Sequence, residues 1–390
     1  MSVPKRVLIS SSLFHGLNDA ATVAVPMIFP ILYVQQAIIR SYSQIGLLSN
    51  FGLLTTLIFQ ILVVQASPRL GYKWMHGLSF AGISLSLFLI SQSSSYASLF
   101  VFYLLFRIFD SFYHSLGMAW VSRTHPSRGI DLAMGIQSGS GNLGVFIAFL
   151  TVGILAQGFN WQLPLRSWAA ACFVLGLASF LLVRRVSFRT DDLERLGFSS
   201  WLWTIQRVSR YILGFVFGGA CWSVTIYFAP SLLHHKYGIP MGKTGIFLAL
   251  WIGIGTVTTY CFGSLSHRLG RARTYQVGFV GASLSLLLVG NASRPWQAIL
   301  GLFFFGMFLF LIYPALQSFV GNAVPFRNQP QAFSLVSNLQ MLSGALIAAL
   351  AGFLSDHFGI SAPFQLTGFL GLTFFLLSIP ALEKPKPAET

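Results

Sequence analysis

Six polar residues stand where the chain is otherwise apolar. His15, Asn18 and Asp19 interrupt a run from Val7 to Tyr33, and Arg107, Asp110 and His114 interrupt a second run. On a helix, His15 and Asp19 are one turn apart with Asn18 beside them. Arg107, Asp110 and His114, spaced i, i+3 and i+7, share a face with Tyr113 alongside. Acids beside imidazoles can exchange a proton, and a guanidinium can bind a carboxylate or phosphonate bidentately. Two acids near one arginine leave one carboxylate without an obvious full partner, which favours proton exchange. The plainer alternative is an Asp19–Arg107 pair that only locks two helices together.

The elements that carry these residues follow from composition. Of 390 residues, 55% are hydrophobic, 8% are charged and 38 are Phe, and mean hydropathy is +0.72. Soluble chains are about a quarter charged, so this chain reads as an all-α membrane protein. Apolar stretches long enough to cross a bilayer predict twelve spans: 7–34, 43–66, 74–92, 97–122, 132–157, 164–184, 209–233, 243–266, 274–291, 297–321, 331–355 and 362–381. An ionisable group at a span's centre costs at least about 2.5–3.5 kcal/mol, so the six polar residues must pair or face water. At about 1.5 Å rise per residue, Asp19 and Asp110 fall near mid-membrane. His15 and His114 both fall roughly 7 Å to one side by the same arithmetic.

Net charge is +15, but the cations sit in short links between apolar runs, which argues against nucleic acid. With the N-terminus cytoplasmic, inside links and tails hold 18 Lys/Arg against five outside (Arg40, Arg166, Lys236, Lys243, Arg294), with Arg107 inside a span. The positive-inside rule then predicts two cytoplasmic termini. Cys172, Cys221 and Cys261 lie in apolar runs and read as buried packing residues.

The halves echo each other at an offset of 199. Arg69, Gly71 and Lys73 align with Arg268, Gly270 and the basic group at Arg271, Gly46 aligns with Gly245, and Gly153 with Gly352. The expected architecture is two pseudo-symmetric six-helix bundles, 1–184 and 209–390, joined by a linker over 185–208. The second half carries no charge near its span centres and offers Trp222, Tyr227, Tyr260, Tyr313, Asn338 and Gln340 instead. A binding cavity commonly joins an aromatic wall to a few polar groups, so these are candidates for shaping cargo. "GSGNLG" at Gly139, Gly141 and Gly144 fits a dinucleotide fingerprint, but it lies in the middle of a span rather than after a strand. Helix packing through small residues explains it better. Pro26, Pro30, Pro230 and Pro314 fall in or near spans and predict bends.

Twelve spans as six plus six resemble the major facilitator superfamily, and "GSLSHRLGRAR" resembles that superfamily's loop motif at Gly263, Arg268, Gly270 and Arg271, with Arg273 beyond. Pro68 and His267 stand where the motif has an acid, and Val64 replaces its first glycine. The resemblance implies a conformational latch in these loops, and the missing acid leaves two alternatives, a weaker latch or a second copy made pH-sensitive by His267. More narrowly, "HGLNDAATVAVPMIFP" and "FYHSLGMAWVSR" are similar to helices one and four of the fosmidomycin-resistance-type transporters, on His15, Asn18, Asp19, Pro26, Pro30, Tyr113, His114, Gly117, Ala119, Ser122 and Arg123. Ser115 stands where that family has proline. This resemblance implies proton-driven export of a small, anionic solute from a bacterial inner membrane, with proton uptake of an organic acid or sugar as the alternative. The expected partners are protons, a small-molecule substrate and membrane lipid, for a monomer. No enzyme activity, cofactor or metal is expected, since no nucleophile–base spacing or His-rich run appears.

Overall fold

The computed structural model describes residues 2–34, 38–125, 130–186, 198–325 and 328–382. All regular structure in these residues is helical. Fourteen α-helices run α1 (Val3–Val34), α2 (Tyr42–Leu70), α3 (Tyr72–Ile90), α4 (Tyr96–Asp110), α5 (Phe112–Thr124), α6 (Ile130–Gly158), α7 (Gln162–Val183), α8 (Phe198–Val208), α9 (Ile212–Ser231), α10 (Met241–Leu269), α11 (Arg271–Asn291), α12 (Pro295–Ala323), α13 (Gln329–Phe358) and α14 (Ala362–Leu382). Among the described residues eleven candidate spans are long and apolar enough to cross a membrane, and Ala362–Ser378 is a shorter apolar helix. The chain is therefore an integral membrane protein of the expected twelve-helix kind.

Two expected boundaries differ. The fourth span is broken at Ser111 into α4 and α5, where the Ser111 hydroxyl donates to the Ile108 carbonyl (2.6 Å) and competes with the helical ladder. In the expected linker, residues 187–197 lie outside the described residues, while Phe198–Val208 forms α8. That helix docks by its polar edge. Ser200 and Thr204 lie within hydrogen-bond distance of the Gln331 side chain on α13, leaving Leu202 and Ile205 exposed.

The helices cluster into two compact units, one of Met1–Gln44, Phe51–Leu193 and Gly238–Ala249, the other of Ile45–Asn50, Glu194–Tyr237 and Leu250–Thr390. In the first, α1 packs on α5, α6 and α7, and α3 packs on α4 and α7. In the second, α9 packs on α13 and α14, and α11 on α12 and α14. Gly71 and Gly270 both take positive φ (73° and 83°) ahead of α3 and α11, a conformation that side chains disfavour. Gly82 faces the Phe109 ring as Gly281 faces that of Phe308, again 199 apart. The glycine pairs also serve as contacts. A Cβ on Gly153 would meet Met241 O at 2.6 Å and Gly245 Cα at 3.1 Å within the first unit; one on Gly46 would meet Ala348 O at 2.6 Å and Gly352 Cα at 3.0 Å within the second.

The first helix of each half keeps a different offset. Gly16 faces Ser140 and Gly144 on α6, while Gly219 faces Gln340 and Ser343 on α13. Gly144 and Ser343 are 199 apart but Gly16 and Gly219 are 203 apart. The second half is thus one helical turn shorter between its first two helices, which hid the match in α1 and α9.

Candidate functional site

The polar residues of α1, α4 and α5 meet inside the first unit. Arg107 Nη1 lies 2.9 Å from Asp110 Oδ2, a pairing along one helix, and both side chains are buried. Asp110 Oδ1 accepts from Asn18 Nδ2 (2.9 Å) and Thr22 Oγ1 (2.6 Å), while Arg107 Nε reaches the Gly52 carbonyl of α2 at 3.4 Å. A buried charge is tolerated when it is paired and hydrogen-bonded, and this carboxylate meets both conditions. The plainer alternative of an Asp19–Arg107 pair is not what the fold forms: the i, i+3 spacing lets Arg107 take the acid on its own helix.

Asp19 has different partners. Its Oδ2 lies 3.1 Å from His15 Nε2 and its Oδ1 lies 3.5 Å from His114 Nε2, so each oxygen faces an imidazole. The expectation that one acid lacks a partner does not hold among the described residues, since each acid has its own set. The rings of the two histidines lie with centroids 5.7 Å apart. The His15 ring stacks on Tyr113 (4.5 Å), and His15 Nδ1 is 2.8 Å from the Gln137 carbonyl on α6. Gln137 Nε2 also donates to the Tyr113 hydroxyl. Asn18 joins the two groups, because its side chain holds Asp110 and its neighbour is Asp19.

Sequence reasoning missed several of these positions. Thr22 and Gln137 gave no signal, being ordinary polar residues one turn from a named site or on another helix. Gly141 was named and set aside with the false fingerprint. In the fold, a Cβ there would meet His15 Nε2 at 2.6 Å and Asp19 Oδ2 at 2.8 Å, while Gly144 lies against the Gly16 backbone. A second buried cluster was also unforeseen: His76 Nε2 contacts Ser10 Oγ (3.1 Å) and Ser179 Oγ (3.0 Å), beneath the Phe14 ring.

The second unit brings together some of its expected residues. Tyr313 Oη donates to the Gly218 carbonyl (3.0 Å) and accepts from Gln340 Nε2 (3.3 Å). Trp222, one turn after Gly218 on α9, lies against Trp251 at 5.7 Å. Tyr227 is buried, and Asn338 is half-buried two residues before Gln340, on a different helix face. One reading is corrected: Cys261 is exposed rather than a buried packing residue, and Tyr260 beside it is 72% exposed. Lys73 Nζ donates to the Arg184 carbonyl (3.1 Å). Gly263, His267, Arg268, Gly270, Arg271 and Arg273 are exposed, and the Arg69 side chain lies outside the described residues.

Membrane-crossing helices built around a paired, half-accessible polar cluster are the frame of a solute carrier. The sequence matches the Major Facilitator Superfamily over residues 11–289 and 256–390, and the protein belongs to that family. It is 23% identical over 348 residues to a nitrite extrusion protein of Bacillus subtilis (strain 168), covering 88% of this chain and 83% of that one. It is 25% identical over 249 residues to the uncharacterized MFS-type transporter YhhS of Escherichia coli (strain K12), covering 62% and 59%. Among solved structures, a bacterial homologue of the human lysosomal transporter Spinster, inward-facing and occupied, superposes with TM-score 0.80 at 16% identity over all of both chains. The nucleoside transporter NupG superposes with TM-score 0.78 at 15% identity over 99% of this chain and 100% of that one. At such identities the structures establish the fold alone.

Proposed function

We infer that this secondary transporter exports a small organic anion, carboxylate- or phosphonate-like, in a proton-coupled cycle of alternating access. The observation that carries the reading is the continuity of the first unit's polar groups. Arg107 and Asp110 form a buried pair held by Asn18, and the adjacent Asp19 stands between two imidazoles. Protonating either acid removes a negative charge beside Arg107 or the imidazoles and so alters which access state is favoured. Arg107 supplies the bidentate geometry that a cargo carboxylate or phosphonate needs. Within the second unit, Tyr313 and Gln340 form neutral hydrogen bonds of their own.

Two likenesses support the anionic cargo. The Bacillus relative is named for extruding nitrite, and the α1 and α5 segments resemble the fosmidomycin-resistance-type transporters, which makes phosphonates the first class to try. The Lys/Arg bias supports two cytoplasmic termini in a bacterial inner membrane.

The test is a proteoliposome assay with an imposed pH gradient, a pH-sensitive dye and a panel of phosphonates, carboxylates, sugars and lipophilic cations. The expected result is gradient dissipation by an anion class in wild type, with proton and cargo moving in opposite directions, abolished by Asp19→Asn or Asp110→Asn. Co-directional movement would make the protein an uptake symporter. Flux without protons that survives both substitutions would reduce the cluster to a structural role.

A further inference from the structure

His15, Asp19 and His114 do more than pair. One ligand-type atom from each (a ring nitrogen of His15, a ring nitrogen of His114 and a carboxylate oxygen of Asp19) lies within 4.8 Å of the others. A four-coordinate ion with bonds of about 2.0–2.2 Å holds its ligand atoms roughly 3.3 Å apart. His15 Nε2 lies 3.1 Å from Asp19 Oδ2, close to that separation, and His114 Nε2 lies 3.5 Å from the other oxygen, Oδ1.

The hydrogen bond on the far side of His15 gives a second, independent indication. A backbone carbonyl only accepts, so His15 Nδ1 donates to Gln137 O. In the neutral ring the proton is thereby fixed on Nδ1, and the Nε2 lone pair points at an Asp19 oxygen 3.1 Å away. Two acceptors then face each other, a contact that either a proton on Nε2 or a bound cation satisfies. An imidazole pinned through Nδ1 to a carbonyl is also the arrangement that orients histidine as a metal ligand through Nε2.

The third indication is space. Gly141 faces this gap, and any side chain at that position would press on His15 Nε2 and Asp19 Oδ2. The side chains of Asp19 and His114 are 21% and 40% exposed, so the cluster has an open side. Among the described residues Asp19 makes no ion pair with Lys or Arg, so its charge is available to a cation.

We propose that His15 Nε2, the Asp19 carboxylate and His114 Nε2 bind a divalent first-row transition metal ion, of the zinc, cobalt or nickel kind, as the cationic part of the cargo. Two imidazole nitrogens and one carboxylate suit such ions, whereas magnesium and calcium prefer all-oxygen shells. Three protein ligands leave a coordination position free, as in sites that exchange a ligand, and an anionic cargo group can occupy it. The proposal rests on the reading that this cluster is the cargo site.

The experiment uses full-length detergent-purified protein stripped with chelator and titrated with Co2+, followed by visible ligand-field absorption and by calorimetry. Wild type is expected to bind one equivalent with the strong absorption of a four- or five-coordinate site. His114→Ala and Gly141→Ala are each expected to weaken binding at least about tenfold, in the range that disturbing a metal shell commonly gives, with unchanged melting and gel-filtration behaviour. Mg2+ in excess leaves the spectrum unchanged. Absence of the absorption in wild type overturns the proposal, and its full retention in a His15→Ala/His114→Ala variant overturns it by assigning the metal to histidines elsewhere. If Co2+ fails to bind while Asp19-dependent, anion-driven proton flux persists, the metal site falls and the transport reading stands. If Co2+ binds as described but no cargo moves in liposomes, the metal site stands and the transport reading falls.

Discussion

The two halves place unlike chemistry at corresponding positions. In the first, α1 brings His15 and Asp19 towards His114 of α5, and α6 offers Gly141. Applying the offset of 203 for the first helix and 199 elsewhere, the second half has Gly218, Trp222, Tyr313 and Gln340. Where His114 faces the Asp19 carboxylate, Tyr313 donates to the bare backbone of Gly218. Where Gly141 leaves a gap, Gln340 extends a side chain to Tyr313. One half presents charge and open space; the other presents filled, neutral hydrogen bonds. A duplicated scaffold can hold both because helix packing depends on small residues such as Gly16 and Gly219, while the neighbouring polar positions are free to differ.

The sharpest way to break this contrast is to leave a charge stranded. Arg107→Leu strands Asp110 and is expected to cost about 3–5 kcal/mol of stability, read as a large drop in thermal midpoint in detergent. Arg107→Leu/Asp110→Leu should recover most of that midpoint while transport stays absent, which separates the pair's structural part from its functional part. Next in size is Asp19→Asn, expected to lower proton-coupled flux at least about a hundredfold, equivalent to ~2.7 kcal/mol, with little change in melting. A variant still coupled would assign the coupling to Asp110. Gly144→Ala presses a methyl on the Gly16 backbone and should cost about 1–3 kcal/mol through overpacking, measured by melting. The smallest effect is Tyr313→Phe. It removes hydrogen bonds worth about 0.5–1.5 kcal/mol, so KM should rise by up to about tenfold with proton stoichiometry intact. Loss of coupling in that variant would erase the division between the halves.

Twelve helices and their duplication were legible because each depends on local signals: apolar length, and glycines that must repeat where backbones approach or φ turns positive, as at Gly71 and Gly270. The site was legible in part. His15, Asp19, Arg107, Asp110 and His114 stood out because ionisable residues in apolar runs are costly. Their pairing was not legible, since whether Arg107 takes Asp110 or Asp19 depends on where α1 lies beside α4. The break at Ser111 escaped notice because serine is common within apolar helices. Gly141 could not be assigned from sequence, as its role is the absence of a side chain beside atoms supplied by another helix. For Cys261, an apolar run identifies a membrane helix but not which of its residues are exposed.

The hydrogen bond from His15 Nδ1 to the backbone of Gln137 bears on how this protein will answer mutational scanning. Its acceptor survives every substitution that leaves α6 helical, so Gln137→Ala would report on Tyr113 and Ser11, whose hydroxyls meet the amide. On the α6 side, the contact that sets the proton on His15 would pass through an alanine scan unseen. Only a change in the path of α6 itself would expose it, such as proline at position 141, where the ring would meet the carbonyl four residues earlier.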